Sequence, residues 1–372
     1  MVSDDPQFWI MRHADHVVHQ DTAEHVALVL RVLGISEKTW RCMIKRYATT
    51  WTLNCRDLDV RAELLGWAYS ACAAMNTKPN STELVSCPIC RSGIIFPAFA
   101  RKVGVGSSDL QYGCCNFCGH GLLLSQPADA PIYKGLSYFS ERRPDGVGYE
   151  GYEKEKIYRE EKARRLFDWI YRATGVCSGR LLEVGSSLGF SRKAAQDRGF
   201  VTTGIDLNPY AAERALALYG MDTFTGTLTE ARQSGAVRHD YDLVLYQFVL
   251  EHLTNPAAEL REIASILGPG CRLVLTIPSM DALELKVFGG SYRSFRSDHC
   301  HIFSRQSIGL LLRDAGFTVT DTKTDCSAHL LQGFYSGAEL QTIYDSGRGP
   351  DMFVIAQREA HEFSSYTHST PH

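Results

Sequence analysis

The amino-acid sequence predicts an α/β fold: a parallel sheet covered by helices on both faces, preceded by a helical region and a small β-ribbon. Two observations predict the sheet. Apolar strands alternate with amphipathic helices after residue 152, and a glycine-containing turn follows the first of these strands. Such alternation is typical of parallel pairing, because each helical crossover returns the chain in the same direction. A third observation, two Cys-x-x-Cys pairs before residue 120, predicts the ribbon.

The alternation begins with a charged, amphipathic helix at residues 152–173. Apolar residues then recur either at helical spacing or in short runs rich in β-branched side chains, and this periodicity separates helices from strands. Strands are predicted at residues 180–184, 201–205, 241–246, 271–277, 317–322 and, as a last candidate, 352–356. Helices are predicted at residues 189–198, 209–219, 256–267 and 305–315.

These patterns divide the chain into five segments. A helical N-terminal region spans residues 1–80, and a zinc-binding ribbon spans residues 82–130. A linker or lid rich in Gly, Pro and aromatic residues follows at 131–151. The α/β domain occupies residues 152–358, and the polar segment 359–372 is expected to be a flexible tail.

Composition limits the classes of function. The 372 residues carry a formal net charge of −3, which does not suggest a phosphate-neutralising surface, so no nucleic-acid partner is expected. No stretch approaches eighteen apolar residues and no signal peptide is evident, so no membrane association is expected either. We therefore expect a cytoplasmic protein whose twelve cysteines are not disulfide-bonded.

The turn after the first strand is a candidate nucleoside site. The strand ends at Glu183 and leads through Gly185 and Gly189 into a helix, and the next strand ends at Asp206, about twenty residues beyond the turn. An open α/β sheet binds its ligand at the carboxyl ends of its strands, where an acid can accept hydrogen bonds from ribose hydroxyls. Other interpretations remain open at this point. Glycine turns between a strand and a helix are common, and Asp206 could instead cap a helix. An NAD-dependent dehydrogenase would also use a glycine turn and an acid in these positions.

The order of motifs makes the prediction specific. The sequence contains Glu183-x-Gly185-x-x-x-Gly189, Gly204-Ile-Asp206, the run 241–245 and Leu250-Glu-His-Leu253, then the runs 268–278, 301–304 and 310–317. Together these closely resemble the class I S-adenosylmethionine (SAM) dependent methyltransferases over residues 155–325. The resemblance implies a Rossmann-like, seven-stranded class I methyltransferase sheet.

The resemblance also implies which residues bind SAM. Residues lining its methionine portion would be Glu183, Gly185 and Gly189, while Asp206 would hold the ribose. The remaining candidates lie near the adenosine or the reactive end of the cofactor: Leu207, Asn208, Thr227, Leu228 and Gln247. One departure is Ser187, which stands where the family usually has the middle glycine of a triplet; its hydroxyl could hydrogen-bond the cofactor, or the turn could be reshaped.

Four cysteines have the spacing of a structural zinc site. Cys87 and Cys90 form one Cys-x-x-Cys pair, Cys115 and Cys118 form a second, and 24 residues separate the pairs. Four thiolates at this spacing can converge tetrahedrally on Zn²⁺, and a ribbon of about forty residues needs such a staple. Alternatives are substitution of one ligand by Cys114 or His120, buried free thiols, or a redox dithiol. We expect a closed, structural zinc site without a catalytic part.

A zinc-binding segment ahead of a SAM domain is also similar to the sugar C-methyltransferases of antibiotic pathways. Those enzymes carry a further C-terminal domain, whereas 47 residues follow residue 325 here, and they generally lack an 80-residue helical start. This resemblance implies methylation of a small molecule and leaves the kind of acceptor open.

Candidate catalytic residues follow the predicted strand 241–246. The positions that would face the transferred methyl group include Tyr246, Glu251 and His252, and His252 is the first candidate for a general base because its ordinary pKa is near neutrality. Alternatively, Glu251 and His252 order a helix start. His299 and His301 lie on a later loop and could act in acid–base chemistry, bind substrate or a metal, or bond within the loop.

Three functions remain open from the sequence. The main hypothesis is a biosynthetic, small-molecule methyltransferase that acts on a natural-product or sugar-like acceptor. A second is an RNA or protein methyltransferase whose zinc ribbon grips the polymer; Tyr246-Gln-Phe-Val stands where such enzymes often have an Asn/Asp-Pro-Pro-aromatic motif. A third is a SAM-binding scaffold without turnover. The N-terminal helices could form a homodimer, cover the pocket or dock a carrier protein.

Overall fold

The computed structural model describes residues 85–101, 110–125, 133–143, 146–325, 331 and 335–359. The predicted helical region 1–80, and with it the possible dimer contact, lies outside the described residues, as does nearly all of the predicted tail. No helix in the described ranges is both long and apolar enough to cross a membrane.

Two sheets organise the described chain. The smaller sheet joins β1 (Val85–Ser86), β2 (Ile94–Arg101), β3 (Leu110–Cys115), β4 (Gly121–Leu123) and the later β10 (His301–Ile302), in that order. The larger sheet contains β5 (Gly179–Val184), β6 (Phe200–Asp206), β7 (Phe224–Thr225), β8 (Leu243–Gln247), β9 (Arg272–Pro278), β11 (Phe317–Asp325) and β12 (Asp351–Arg358). Its order, β11-β12-β9-β8-β5-β6-β7, confirms the predicted seven-stranded sheet.

The expectation of an all-parallel sheet needs one correction. Strands β9, β8, β5, β6 and β7 are parallel neighbours, but β12 lies between β9 and β11 and runs antiparallel to both. An apolar strand has the same composition in either direction, so the sequence pattern does not reveal this reversal.

Helices cover both faces of the larger sheet. In chain order they are α1 (Ser137–Ser140), α2 (Lys156–Thr174), α3 (Phe190–Gln196), α4 (Pro209–Tyr219), α5 (Leu228–Gln233), α6 (Pro256–Ile266), α7 (Leu283–Phe288), α8 (Arg305–Asp314) and α9 (Gly337–Asp345). Local signals set several ends: Asn208 accepts a hydrogen bond from the N–H of Tyr210 at the start of α4, and left-handed Gly220 ends that helix.

The two faces of the sheet pack against different helices. In β8, Leu243 and Leu245 join a core with α2 and α3, whereas Val244 and Tyr246 join the core that contains α6 and α8. Successive side chains of a strand point to opposite faces, so this division follows from the pleat. By the same alternation Gln247 lies on the opposite face from Tyr246.

The ribbon is not a separate body. Its strand β4 pairs antiparallel with β10, which matches His301 with Leu122 and Ile302 with Gly121. The ribbon's Tyr112 packs in one apolar cluster with Tyr292 and Phe295 of the α/β domain. The small sheet is thus completed by a strand from the loop between β9 and α8, which the sequence pattern did not indicate.

Candidate functional site

The turn after β5 has the backbone shape that the glycine pattern predicted. Gly185 has φ +71°, Ser187 +50° and Gly189 +86°, all in the left-handed region. Gly185 also permits a close approach, because a Cβ there would lie 2.3 Å from Cγ2 of Val249. This contact places the cofactor turn directly against the segment that carries Glu251 and His252.

Ser187 takes the place of the expected middle glycine and has a left-handed backbone. Its φ of +50° is uncommon for a residue with a side chain. Its N–H donates to Oδ2 of Asp206 at 2.7 Å, which compensates for part of the backbone cost. The turn is therefore held by the same acid that the sequence singled out.

Several buried polar atoms at this turn have no hydrogen-bond partner among the described residues. They are Oε2 of Glu183 and the hydroxyl oxygens of Ser186 and Ser187. Buried polar groups are normally paired, so three such oxygens within five residues indicate room for a polar ligand. The residues present therefore fit a bound SAM molecule.

Glu183 is a buried carboxyl group at this turn. Its side chain is 2 % exposed, and Oε1 accepts a hydrogen bond of 3.0 Å from Nε2 of Gln247, which also donates to Oγ of Ser191 at 2.5 Å. Burial raises the pKa of Glu183 to about 7. A ligand cation beside this carboxylate would favour its ionised form.

Asp206 ends β6 and organises the neighbouring loops. Besides the bond from Ser187, its Oδ1 accepts from the N–H of Asn208 at 2.8 Å, and its backbone carbonyl accepts from the N–H of Gly226 at 2.9 Å. Burial raises its pKa. The three loops predicted to surround the adenosine thus meet at one residue, although the carboxylate already accepts two protein hydrogen bonds.

The other predicted adenosine residues divide between capping and packing. Thr227 caps α5: its Oγ1 accepts from the N–H of Glu230, whose carboxylate accepts from the N–H of Thr227. Leu228 is 2 % exposed within the core, while Leu207 is half-buried. No sequence signal marked Arg192, a buried side chain of α3 that donates to the backbone carbonyl of Asp222, because a lone arginine in a helix is usually exposed.

The linker lies over the cofactor turn. The backbone carbonyl of Gly135 accepts a 2.9 Å hydrogen bond from Nδ2 of Asn208, and the hydroxyl of Tyr133 lies 3.1 Å from Nδ1 of His252. Phe139 packs with Leu188 of the turn in one apolar cluster. The linker therefore spans from the loop of Asn208 to His252, one of the candidate catalytic residues.

Glu251, His252 and His299 form one cluster. One ligand atom from each lies within 4.8 Å of the other two, and the rings of His252 and His299 meet edge to face with centroids 4.8 Å apart. Burial raises the pKa of Glu251 to about 8 and lowers the pKa of both histidines. The sequence analysis named these three residues singly, and the structure brings them together.

A buried ion pair lies beside this cluster. Arg296 donates two hydrogen bonds of 2.9 Å to the carboxylate of Asp298, and Oδ2 of Asp298 lies 3.6 Å from Nδ1 of His252. Burial alone would raise the pKa of Asp298, but His252, His299 and Arg296 outweigh it and lower the pKa to about 2. A charged pair is thus fixed next to the candidate catalytic histidine.

Two other predicted catalytic residues face elsewhere. Tyr246 is fully buried, and its hydroxyl donates to Oε1 of Glu259 on α6 at 2.8 Å, on the sheet face opposite Gln247. His301 lies in β10 with Nδ1 2.9 Å from Nε2 of the buried His120 of the ribbon. Both side chains therefore connect packed elements and lie outside the cluster of Glu251, His252 and His299.

The four predicted zinc ligands converge. The sulfur atoms of Cys87 and Cys118 are 3.7 Å apart, and those of Cys90 and Cys115 are 3.6 Å apart. Four sulfurs at the usual Zn–S distance of roughly 2.3 Å stand about 3.8 Å from one another in a tetrahedron, so the spacing fits one Zn²⁺. Cys114 and His120, the alternative ligands, are outside this group of four.

The ribbon also holds the loop that carries His299. The hydroxyl of Tyr112 lies 2.7 Å from the backbone carbonyls of both Arg296 and His299, and the ring of Tyr112 stacks on Phe295 at 4.3 Å. No local sequence pattern marks Tyr112, because its partners lie more than 180 residues away. The ribbon thus contributes to the shape of the candidate acceptor site.

The fold and this arrangement define a nucleoside-binding α/β domain of the class I methyltransferase type. Residues 158–322 match the family model described as a methyltransferase domain. This matched segment, somewhat less than half of the chain, is a methyltransferase domain, which agrees with the class that the motifs implied.

The chain is similar to several known proteins. It is 30% identical over 131 residues to a ubiquinone biosynthesis O-methyltransferase of Aeromonas salmonicida (34% of this chain, 55% of that protein), and 24% identical over 164 residues to one of Stutzerimonas stutzeri (41% and 71%). A SAM-dependent methyltransferase structure from Archaeoglobus fulgidus matches with a TM-score of 0.43 and 19% identity, covering 56% of this chain and 100% of that one. The chain spans about half the length of the first of these curated relatives.

Proposed function

We propose that this protein is a SAM-dependent methyltransferase that transfers a methyl group to a hydroxyl of a small-molecule acceptor. The methyltransferase domain supports SAM as the donor, and the curated relatives, which are named O-methyltransferases, support a small molecule with an oxygen nucleophile. The observation that carries the proposal is the lid, in which Tyr133 and Gly135 connect the cluster around His252 with Asn208 of the cofactor loop.

Each cofactor residue has a distinct part. The ionised carboxylate of Glu183, oriented by Gln247, would receive the ammonium group of the methionine portion. Asp206 would accept hydrogen bonds from the ribose hydroxyls through lone pairs that its two backbone donors leave free. The unpaired hydroxyls of Ser186 and Ser187 would bond further polar atoms of the cofactor.

Bound SAM supplies an electrophilic methyl group on a sulfonium. In the transfer, the acceptor oxygen would take the methyl group as the bond from that group to sulfur breaks, and the acceptor's proton would leave to water. The products are S-adenosylhomocysteine and a methyl ether. The chain's own contribution is to align the oxygen with the methyl carbon, exclude water with the lid and accommodate the released charge.

The acceptor would bind beside Glu251, His252 and His299. Glu251 and His252 follow β8, the neighbour of β5, and His299 lies in the segment that follows β9, the next strand of the sheet. All three therefore lie past the carboxyl ends of parallel strands, where open sheets bind ligands. We also propose that the ribbon cysteines Cys87, Cys90, Cys115 and Cys118 bind a structural Zn²⁺ that keeps the loop of His299 in place.

Calorimetry with S-adenosylhomocysteine tests the cofactor site. Folded, zinc-loaded protein should bind it, and Asp206→Ala should weaken binding about 10- to 100-fold, because hydrogen bonds to a charged group contribute about 1.5–3 kcal/mol. The control is Asp222→Ala, which removes an exposed carboxylate on the adjoining loop. Absence of binding, or equal affinity in the Asp206 variant, would refute the proposal.

A methylation assay separates the acceptor classes. We expect product from a panel of hydroxyl-bearing small molecules and none from RNA or protein, with mass spectrometry as the readout. Methylated RNA or protein would instead support polymer recognition by the ribbon. Tight cofactor binding without any product over all three panels would support a non-catalytic scaffold.

A further inference from the structure

Glu251 presents an unusual buried carboxylate. Its side chain is fully buried, and neither carboxylate oxygen has a hydrogen-bond partner in another described residue. An unpaired carboxylate in the interior is costly, because it loses its hydration without gaining protein donors. The position therefore calls for a partner that the protein's described side chains do not supply.

The two histidines beside it are oriented in the way that metal-binding histidines are. Nδ1 of His252 lies 2.7 Å from the backbone carbonyl of Asp298, and Nδ1 of His299 lies 2.8 Å from the backbone carbonyl of Ser294. A carbonyl can only accept, so in a neutral ring each Nδ1 carries the hydrogen and Nε2 is the nitrogen with a lone pair for a ligand; the His252 ring also has the backbone carbonyl of Phe248 as a partner. A backbone carbonyl that fixes the tautomer in this way is typical of the outer shell of a metal site.

From this geometry we propose that Glu251, His252 and His299 bind a divalent cation. Their ligand atoms lie within 4.8 Å of one another, and two imidazoles with one carboxylate leave open coordination positions on one side of the ion. The cation would offset the charge of Glu251 and satisfy its oxygens. It is separate from the zinc ribbon, whose four thiolates favour a softer, closed site.

The role of the cation rests on the proposed function. An open position would take the acceptor's hydroxyl oxygen, and coordination would lower the pKa of that hydroxyl so that its proton leaves to water. His252 then acts as a ligand rather than as the general base that the sequence analysis considered. The acceptor class becomes a molecule with an oxygen donor able to bind a metal ion.

The test is titration of zinc-loaded protein with Mn²⁺, in which binding is measured as the loss of the free-ion signal in electron paramagnetic resonance. We expect one bound Mn²⁺ in the wild type. Glu251→Gln and His299→Asn should each weaken binding by at least ~10-fold, the lower end of what losing even an outer-shell partner costs. Glu259→Gln is the matched control, because it makes the same change at a carboxylate bonded to Tyr246 outside the cluster.

Each outcome decides the proposal. If the wild type does not bind Mn²⁺, or binds it as tightly after Glu251→Gln as before, the cation site is refuted and Glu251 is a protonated, buried acid. Calorimetry with S-adenosylhomocysteine on the same samples distinguishes failure of the cation site from failure of the proposed function. Cofactor binding without Mn²⁺ binding overturns only the cation site, whereas loss of cofactor binding overturns the proposed function.

Discussion

The cofactor turn and the proposed acceptor cluster, which consists of Glu251, His252 and His299, are built in different ways. Glu183 and Asp206 lie 23 residues apart at the ends of two paired strands, and backbone hydrogen bonds of the turn itself connect them. The acceptor cluster joins Glu251 to His299 from two separate loops, and the second loop is held by the ribbon through Tyr112 and β10. The first site therefore depends on local geometry, and the second depends on contacts between distant segments.

Removal of the Zn²⁺ that we propose for the ribbon should have the largest effect and should separate the two sites. Structural zinc contributes apparent free energies of about 10–16 kcal/mol in small domains, so Cys87→Ser or chelation should unfold the ribbon. Hydrogen exchange should then show at least ~100-fold less protection in residues 294–302, while affinity for S-adenosylhomocysteine stays within about threefold.

A matched control exists for this experiment. Cys177→Ser replaces an exposed cysteine outside the group of four and should leave both readouts unchanged. If the zinc-free protein kept full protection in residues 294–302, the ribbon would not hold the acceptor loop, and the contrast between the two sites would fail.

The pH dependence of cofactor binding should report on the cofactor turn alone. Burial holds the pKa of Glu183 at about 7, whereas its ordinary value is 4.5, so the free protein keeps this carboxyl protonated below neutrality. Binding of a ligand ammonium requires the ionised form. Affinity for S-adenosylhomocysteine should rise up to about tenfold per pH unit below pH 7 and level off above it.

The free energy of unfolding should change with pH in the direction opposite to the cofactor affinity. Unfolded Glu183 ionises at its ordinary value, so between pH 4.5 and about 7 the unfolded chain holds fewer protons and the ligand-free protein loses stability as pH rises. Thermal unfolding of the wild type and of Glu183→Gln measures this: the variant should lose less stability over this range, and the loss that remains comes from groups such as Glu251, whose pKa burial also raises. An affinity profile that is equally steep in the variant would show that another group titrates.

Particular residues show which features of the fold and the site could be predicted from the sequence. The predicted bounds of α4, residues 209–219, agree with the structure, in which Asn208 and Gly220 cap the helix. The cofactor motif was recognisable because its residues are contiguous with strand ends. The antiparallel β12, the pairing of β4 with β10 and the meeting of Glu251 with His299 were not predicted. All three depend on tertiary pairing, about which a short window of sequence carries no information.

Tyr112→Phe should give the smallest effect and the sharpest comparison. It removes one hydroxyl that lies 2.7 Å from the carbonyls of Arg296 and His299, while the ring can still stack on Phe295. Losing such bonds costs about 1–2 kcal/mol, so methyl transfer should slow about 5- to 30-fold while affinity for S-adenosylhomocysteine stays the same. Tyr241→Phe is the control, because that buried hydroxyl accepts from the N–H of Arg238 at the far end of β8. A fall in kcat with unchanged cofactor affinity marks Tyr112 as a positioning residue. If Tyr112→Phe and Tyr241→Phe lost the same fraction of kcat, Tyr112 would contribute only to general stability, and the ribbon would have no specific link to the proposed acceptor site.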